Sequence, residues 1–316
     1  MSLAVTSEQA LTDDGAPPAA DAPAATGRER SGTFMRRCGA YLQAMPMGLV
    51  FGVFFILPIL LVVVVSFFDY QTYDILIPDF VFFNYEDVFS SSVTYNTYMS
   101  TLRFCVLTWA ITLVLGFTIA HFLAFYLKTL PVQLVCFLIC TIPFWTSNVI
   151  RMISWIPFLG RHGLINQALM SLGVIDEPLE WLLYSEFAVM LGYVHLYTLF
   201  MIVPIFNSMV RIDKSLIEAA KDQGASSWQI LTNVVIPLTK PGIAIGSIFV
   251  LAIVMGDFIT VNVLGGGQIA SIGKSIQTEL SYLQFPPAAA NAVVLLGVTI
   301  LMIVAMIRIV DIRKEL

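Results

Sequence analysis

Few side chains in this sequence could do chemistry, and those few sit in apolar surroundings. Asp257, in the run AIVMGDFITVNVLGGG, puts a carboxylate at membrane depth. An ionisable group there is expensive, and is expected to pair, to cap a helix or to meet a polar solute. Arg103 and Arg151 are candidate partners, and Glu186 stands at the head of another apolar run. Phe144, Trp145, Trp155, Tyr193 and Tyr197 add aromatic faces, which together with carboxylates can make a path for a cation. Taken singly, each ring fits an interfacial belt as well or better. His121 and His195 also fall in apolar runs and are expected as neutral, hydrogen-bonded packing groups.

Metal and phosphate chemistry find less support. The cysteines are Cys38, Cys105, Cys136 and Cys140. Cys136 and Cys140 share a helical face, but three of the set lie in apolar runs and one near a polar tail. The expectation is packing, with no metal and no cofactor held by the chain. No G-x-x-x-x-G-K-S/T loop is present. GGGQIASIGKS at 265–275 has the wrong spacing, so the chain is not expected to hydrolyse ATP by that machinery.

Membrane helices must hold these groups. The 316 residues are 58% hydrophobic and 12% charged, against about 25% charged in an ordinary soluble domain. So few charges cannot wet a compact soluble particle of this size. A net charge of −5 supplies no basic footprint for nucleic acid. Six runs reach the roughly 20 residues a crossing needs. They cover about 45–68, 101–127, 131–156, 183–208, 242–264 and 288–310. The expected class is all-α and polytopic, with six transmembrane helices. With the N-terminus inside, 12 of the 16 basic residues face the cytoplasm, leaving Arg103, Arg151, Arg161 and Lys274 outside. The positive-inside rule then places both termini in the cytoplasm.

The segments between spans differ in kind. Residues 1–38, rich in Ala, Pro, Gly, Thr, Asp and Glu, read as a disordered cytoplasmic tail without a signal-peptide pattern. Residues 39–316 read as the membrane domain. The outer loop at 69–98 is acidic and aromatic. A second, at 157–182, carries an amphipathic helix with Leu164, Ile165, Ala168, Leu169 and Leu172 on one face. The cytoplasmic loop at 207–241 is the most structured part outside the membrane. Asp213 or Ser215 caps a short helix that Gly224 ends. Ser226 caps a second, with Trp228, Ile230, Leu231 and Val234 as its apolar contacts. Pro237 and Pro241 punctuate the return to the membrane. Small residues at Ala219, Ala220, Gly224 and Ala225, beside an apolar Trp228, suit docking to a soluble partner. A loop packed only on its own bundle explains them equally well.

Here the sequence resembles a family. Glu218-Ala219-Ala220, Gly224-Ala225, Ile236-Pro237 and Pro241-Gly242-Ile243 look like the EAA motif of permease subunits from binding-protein-dependent ABC importers. The resemblance covers about residues 45 to 312 and implies the type I (MetI-like) fold. Gln223 departs from it, standing where a bulky apolar residue is common. By that resemblance, Glu218, Ala219, Ala220 and Gly224 form the coupling core, with Ala225 and Trp228 beside them. Pro237, Pro241 and Gly242 set the re-entry geometry. The implied partners are a second permease subunit, two ATPase subunits that use ATP and Mg, and an extracytoplasmic binding protein, in a bacterial inner membrane. TIPFWTSNVIRMISW, GRHGLINQAL and MGDFITVNVLGGG look like the spermidine/putrescine-type branch. Related branches carry ferric ion, opines, phosphonates and other small solutes. An ion-coupled secondary transporter would show inverted repeats, which are not evident, and would leave the cytoplasmic loop unexplained.

Overall fold

A computed structural model describes residues 45–310, apart from 72, 73 and 128. The expected tail at 1–38, with Cys38, Arg28, Arg30, Arg36 and Arg37, lies outside the described residues, as do Lys128, Arg313 and Lys314. The chain divides into two units, residues 1–58 and 59–316. Helix α1, Met45–Val65, contains the boundary between them. The rest of the second unit holds α2 (Phe83–Ser90), α3 (Ser92–Tyr126), α4 (Leu130–Thr141), α5 (Asn148–Leu159), α6 (Leu164–Ser171), α7 (Glu186–Val210), α8 (Lys214–Asp222), α9 (Ser227–Gly256), α10 (Ile259–Leu264), α11 (Ile272–Ser281) and α12 (Phe285–Val310). The all-α class is borne out. Among the described residues, the one isolated β pairing is the bridge between Asp69 and Ile77.

Five helices are long and apolar enough to cross a membrane: α1, α3, α7, α9 and α12. The sixth candidate is a broken pair, Leu130–Trp145 and Asn148–Ser171, bent by 90°. The apolar run at 131–156 passes straight through that break. Pro143 lacks the N–H that would continue α4. A tight turn at Ile142–Trp145 follows, and Thr146 and Ser147 are extended.

The fifth span also differs from the sequence reading. The expected second cytoplasmic helix and the span at 242–264 are one continuous element, α9, which ends at Gly256. Pro237 and Pro241 therefore lie inside a helix and do not interrupt it. A wide turn at Leu231–Val235, closed by the Ile236 N–H on the Leu231 carbonyl, precedes Pro237. The same device, Gly52–Ile56, precedes Pro58 in α1. A π-type turn changes the hydrogen-bond register just where proline cannot donate.

Small residues set how closely the helices pack. α7 packs on α9 and α3, and α9 packs on α12 and α3. Met201 of α7 fills the space between Gly116 and Gly246: a Cβ on either would come within 2.8 Å of its side chain. A Cβ at Gly242 would collide with the Pro204 carbonyl and the Ser208 side chain. Close approach of this kind drives helix association in lipid, where apolar burial supplies little. Gly242→Leu is therefore expected to cost about 1–3 kcal/mol by overpacking. Its check is the melting temperature of the purified protein in detergent. Gly297→Leu, with no atom within 4 Å of its Cβ position, should leave the melting temperature unchanged.

The segments at 66–84 and 160–179 are pinned by buried amides. Asn84 donates to the carbonyls of Ser66 and Phe68 at 3.1 and 2.9 Å. Asn166 donates to the Gly160 and Leu179 carbonyls and accepts the Leu179 N–H. The expected amphipathic helix is present as α6, but Asn166 is its buried residue, while Leu164 and Leu172 are exposed.

Candidate functional site

The surface carried by the 207–241 loop is built from two helix ends and a turn. Asp213 caps α8, its Oδ1 accepting the Ser215 N–H at 3.0 Å. At the other end the Ala225 N–H reaches the Ala220 carbonyl and the Gly224 N–H reaches that of Lys221, at 3.0 and 2.9 Å. This pair of bonds is a Schellman motif, which needs a left-handed residue between its strands of hydrogen bonding. Gly224 supplies it with φ of 79°. Ser226 then starts α9 with a full capping box, its side chain accepting the Gln229 N–H while Gln229 accepts the Ser226 N–H.

Two faces result. Ile217, Ala220 and Ala225 pack inward on the core, and Ile230 is buried. Glu218, Ala219, Gly224 and Trp228 are exposed, Trp228 at 71%. Glu218, Trp228, Lys214 and Lys221 line a cleft of about 440 Å³ together with His121 and Tyr126 of α3. Gly242, expected to set the re-entry geometry, lies where α9 packs closely on Pro204 and Ser208 of α7. Ser226→Ala removes one side of the capping box and is expected to cost about 1 kcal/mol. Faster amide exchange at Gln229, with exchange in α7 unchanged, is the check.

The second cluster lies where α9 breaks. Asp257 is extended, with ψ of 120°, so it terminates the helix and does not sit within it. Its carboxylate accepts the Thr260 N–H at 3.1 Å, the Thr260 hydroxyl at 2.6 Å and the Tyr197 hydroxyl. The Tyr197 ring stacks on Tyr193 at 5.7 Å and meets Phe200 at 6.3 Å. Phe144 packs edge-on against Phe200 at 5.0 Å, and the Arg151 guanidinium stands 5.8 Å from the Phe144 ring centre.

The structure thus brings Asp257, Tyr193 and Tyr197 together, with Phe144 reached through Phe200. Trp145 is 81% exposed at the turn before the 90° bend. Glu186 sits apart in the first turn of α7 and pairs with Arg103 at 3.1 Å, so Arg103 is not the partner of Asp257. Arg151 bonds Asn148 on its own helix, and its buried Nε has no partner among the described residues. His195 accepts the Trp155 indole N–H at 3.0 Å, the packing role expected of it. Sequence reasoning missed Thr260 and Phe200. Thr260 was open to detection, because a Thr three residues after an Asp at a helix break is a local capping pattern.

No protein-family model matches the chain. It is 38% identical over 184 residues to the spermidine/putrescine transport system permease protein PotB of Salmonella typhimurium, a match covering 58% of this chain and 63% of that protein. The match thus spans less than two thirds of that relative's length. PotB of Escherichia coli K12 is 34% identical over 204 residues, 64% of this chain and 72% of that protein. PotB of Haemophilus influenzae is 33% identical over 255 residues, 79% of this chain and 86% of that protein. Among solved structures, the fold is similar to a chain of a bacterial ABC transporter involved in the import of the acidic polysaccharide alginate. That similarity has a TM-score of 0.68 at 18% identity, over 90% of this chain and 98% of that one.

Proposed function

The chain belongs to the PotB-type family of ABC importer permeases, and from that premise we propose that it is a membrane subunit of an ATP-driven, binding-protein-dependent importer of polyamines such as spermidine or putrescine. The observation that carries the cargo is the Asp257 cluster. Its carboxylate is held by three neutral donors, and among the described residues no basic side chain pairs with it. A protonated amine is its natural complement, through a charge-assisted hydrogen bond. The rings of Tyr193, Tyr197, Phe200 and Phe144 offer π faces to the same cation. Trp145, at the bend, and Glu186, paired with Arg103, stand further along the proposed path.

The cytoplasmic surface supports the coupling role. Glu218, Ala219, Gly224 and Trp228 form the exposed docking face. Ala220 and Ala225 anchor it, and α9 carries its motion directly into the membrane through Pro237, Pro241 and Gly242. The partners are a second permease subunit, identical or paralogous, two ATPases that consume ATP with Mg, and an extracytoplasmic binding protein. The chain itself performs no hydrolysis. Both termini face the cytoplasm of a bacterial inner membrane.

In this reading the binding protein releases a polyamine at the outer mouth. Closure of the ATPases on ATP moves α8 and the start of α9, and the permease pair exposes its outward route. Hydrolysis resets it inward. Two states with different affinity for the cargo are required. The breaks at Thr146–Ser147 and at Asp257 are the places where helix halves can reorient. The test is ATP hydrolysis by the reconstituted complex. Polyamine-loaded binding protein is expected to stimulate it severalfold. Stimulation by a binding protein loaded with ferric ion, an opine or a phosphonate, and none by polyamines, would overturn the cargo assignment.

A further inference from the structure

Arg151 is a buried cation without a counter-ion among the described residues. It is 9% exposed on α5. Its guanidinium donates to the neutral Asn148 side-chain oxygen on the same helix, and its Nε has no partner among the described residues. The ion pairs among those residues are Arg103–Glu186 and Arg161–Glu180, so no carboxylate neutralises it there. A guanidinium carries five N–H donors and stays charged. A lasting charge at membrane depth is expensive, and its default role is functional.

The packing places that charge beside the Asp257 cluster. Three helices meet at Gly192 of α7. A Cβ there would lie 3.0 Å from the Met152 sulfur of α5 and 2.8 Å from the Thr260 methyl of α10. Met152 follows Arg151 directly, and Thr260 holds the Asp257 carboxylate through its N–H and hydroxyl. The guanidinium also stands 5.8 Å from the Phe144 ring centre, and Phe144 leads through Phe200 to Tyr197, the third donor to Asp257. One turn further along α5, the Trp155 indole N–H on His195 fixes that helix against α7. A carboxylate without a basic partner and a guanidinium without an acidic one thus flank the same rings, and no ion pair joins them.

We propose that Arg151 is a specificity-determining residue for the cation on Asp257: its fixed charge selects against compact polyvalent cations such as Mg²⁺ and admits diammonium cations whose charges an apolar chain keeps apart. The choice of favoured cation rests on the polyamine reading above. The selection is Coulombic, since repulsion grows with charge and falls with distance. A divalent metal ion on Asp257 brings two charges to one point near Arg151. A diammonium brings one, keeps the other a chain length away, and lays its methylenes on the rings of Tyr193, Tyr197 and Phe200. The same repulsion weakens the hold on the diammonium modestly, and a solute in transit has to leave its site as well as enter it.

The experiment is calorimetry of putrescine, with Mg²⁺ as competitor, on the purified, assembled transporter without nucleotide or binding protein. Wild type is expected to bind putrescine with little competition from Mg²⁺. Arg151→Gln should bind putrescine about threefold more tightly and let Mg²⁺ compete about tenfold better, because a like charge has been removed. Arg151→Lys should restore the wild-type behaviour. Asn148→Asp leaves Arg151 in place and gives its guanidinium a carboxylate. It should reproduce Arg151→Gln, and it carries the test should that variant fail to assemble. A packing role for Arg151 predicts weaker or unchanged putrescine binding and unchanged Mg²⁺ competition. Either result overturns the proposal, as does the absence of putrescine binding in every form. ATP-driven putrescine uptake measured in parallel separates the two proposals. Uptake with no effect of Arg151 on Mg²⁺ competition removes only the filter. Arg151-dependent selection of putrescine over Mg²⁺ with no polyamine uptake keeps the filter and removes the cargo reading.

Discussion

Gly224→Trp is expected to cut ATP-driven uptake at least tenfold while the protein still inserts and assembles. Gly224 has φ of 79° and closes the Schellman motif between α8 and α9. A side chain in that left-handed conformation costs about 1–2 kcal/mol. The space around a Cβ at Gly224 is open, so the substitution creates no clash inside the fold. Two consequences follow. The turn relaxes toward another conformation and changes the angle between α8 and the start of α9. A bulky ring is also placed on the face formed by Glu218, Ala219 and Trp228. Both disturb docking to the ATPase, and neither touches the packing of α7 on α9. ATP hydrolysis should lose its dependence on loaded binding protein. Gly224→Asn, which tolerates the left-handed region, should retain most of the uptake. Unchanged transport-coupled hydrolysis in Gly224→Trp would sink the coupling role.

The second large effect is at Asp257. Asp257→Asn preserves shape and can still accept from Thr260, since Asn caps about as well as Asp. What it removes is the charge. Uptake of a polyamine is expected to fall ten- to a hundredfold, which corresponds to about 1.4–2.8 kcal/mol of lost attraction. Tyr197→Phe removes one neutral donor and keeps the charge. Its expected loss is smaller, about 1 kcal/mol or roughly fivefold. The ratio between the two variants separates a charge effect from a packing effect. Equal uptake by wild type and Asp257→Asn would show that the carboxylate is structural.

The parts of the fold legible in the sequence were those written locally. Apolar runs marked α1, α3, α7 and α12, and the caps at Asp213 and Ser226 and the turn at Gly224 were read from residue type alone. The break at Thr146–Ser147 was not, because hydropathy records how apolar a segment is and carries no angle. Pro237 and Pro241 were read as interruptions because the wide turn at Leu231–Val235 has no composition of its own. The same turn joins the helix begun at Ser227 to the fifth span. Asp257 stands out in the sequence as an expensive group, but its partner Tyr197 is 60 residues away, so the pairing is not written locally. Arg103 and Glu186 were each noted, yet nothing local joined them, and the structure places them 3.1 Å apart.

The most direct measurement is accumulation of radiolabelled spermidine or putrescine in proteoliposomes holding the chain, its partner permease and the ATPases, with binding protein outside and ATP inside. Accumulation that requires both ATP and binding protein, and that Asp257→Asn reduces at least tenfold, is the expected result. Accumulation without ATP, or its complete absence for either polyamine in an intact complex, would contradict a polyamine importer coupled to ATP.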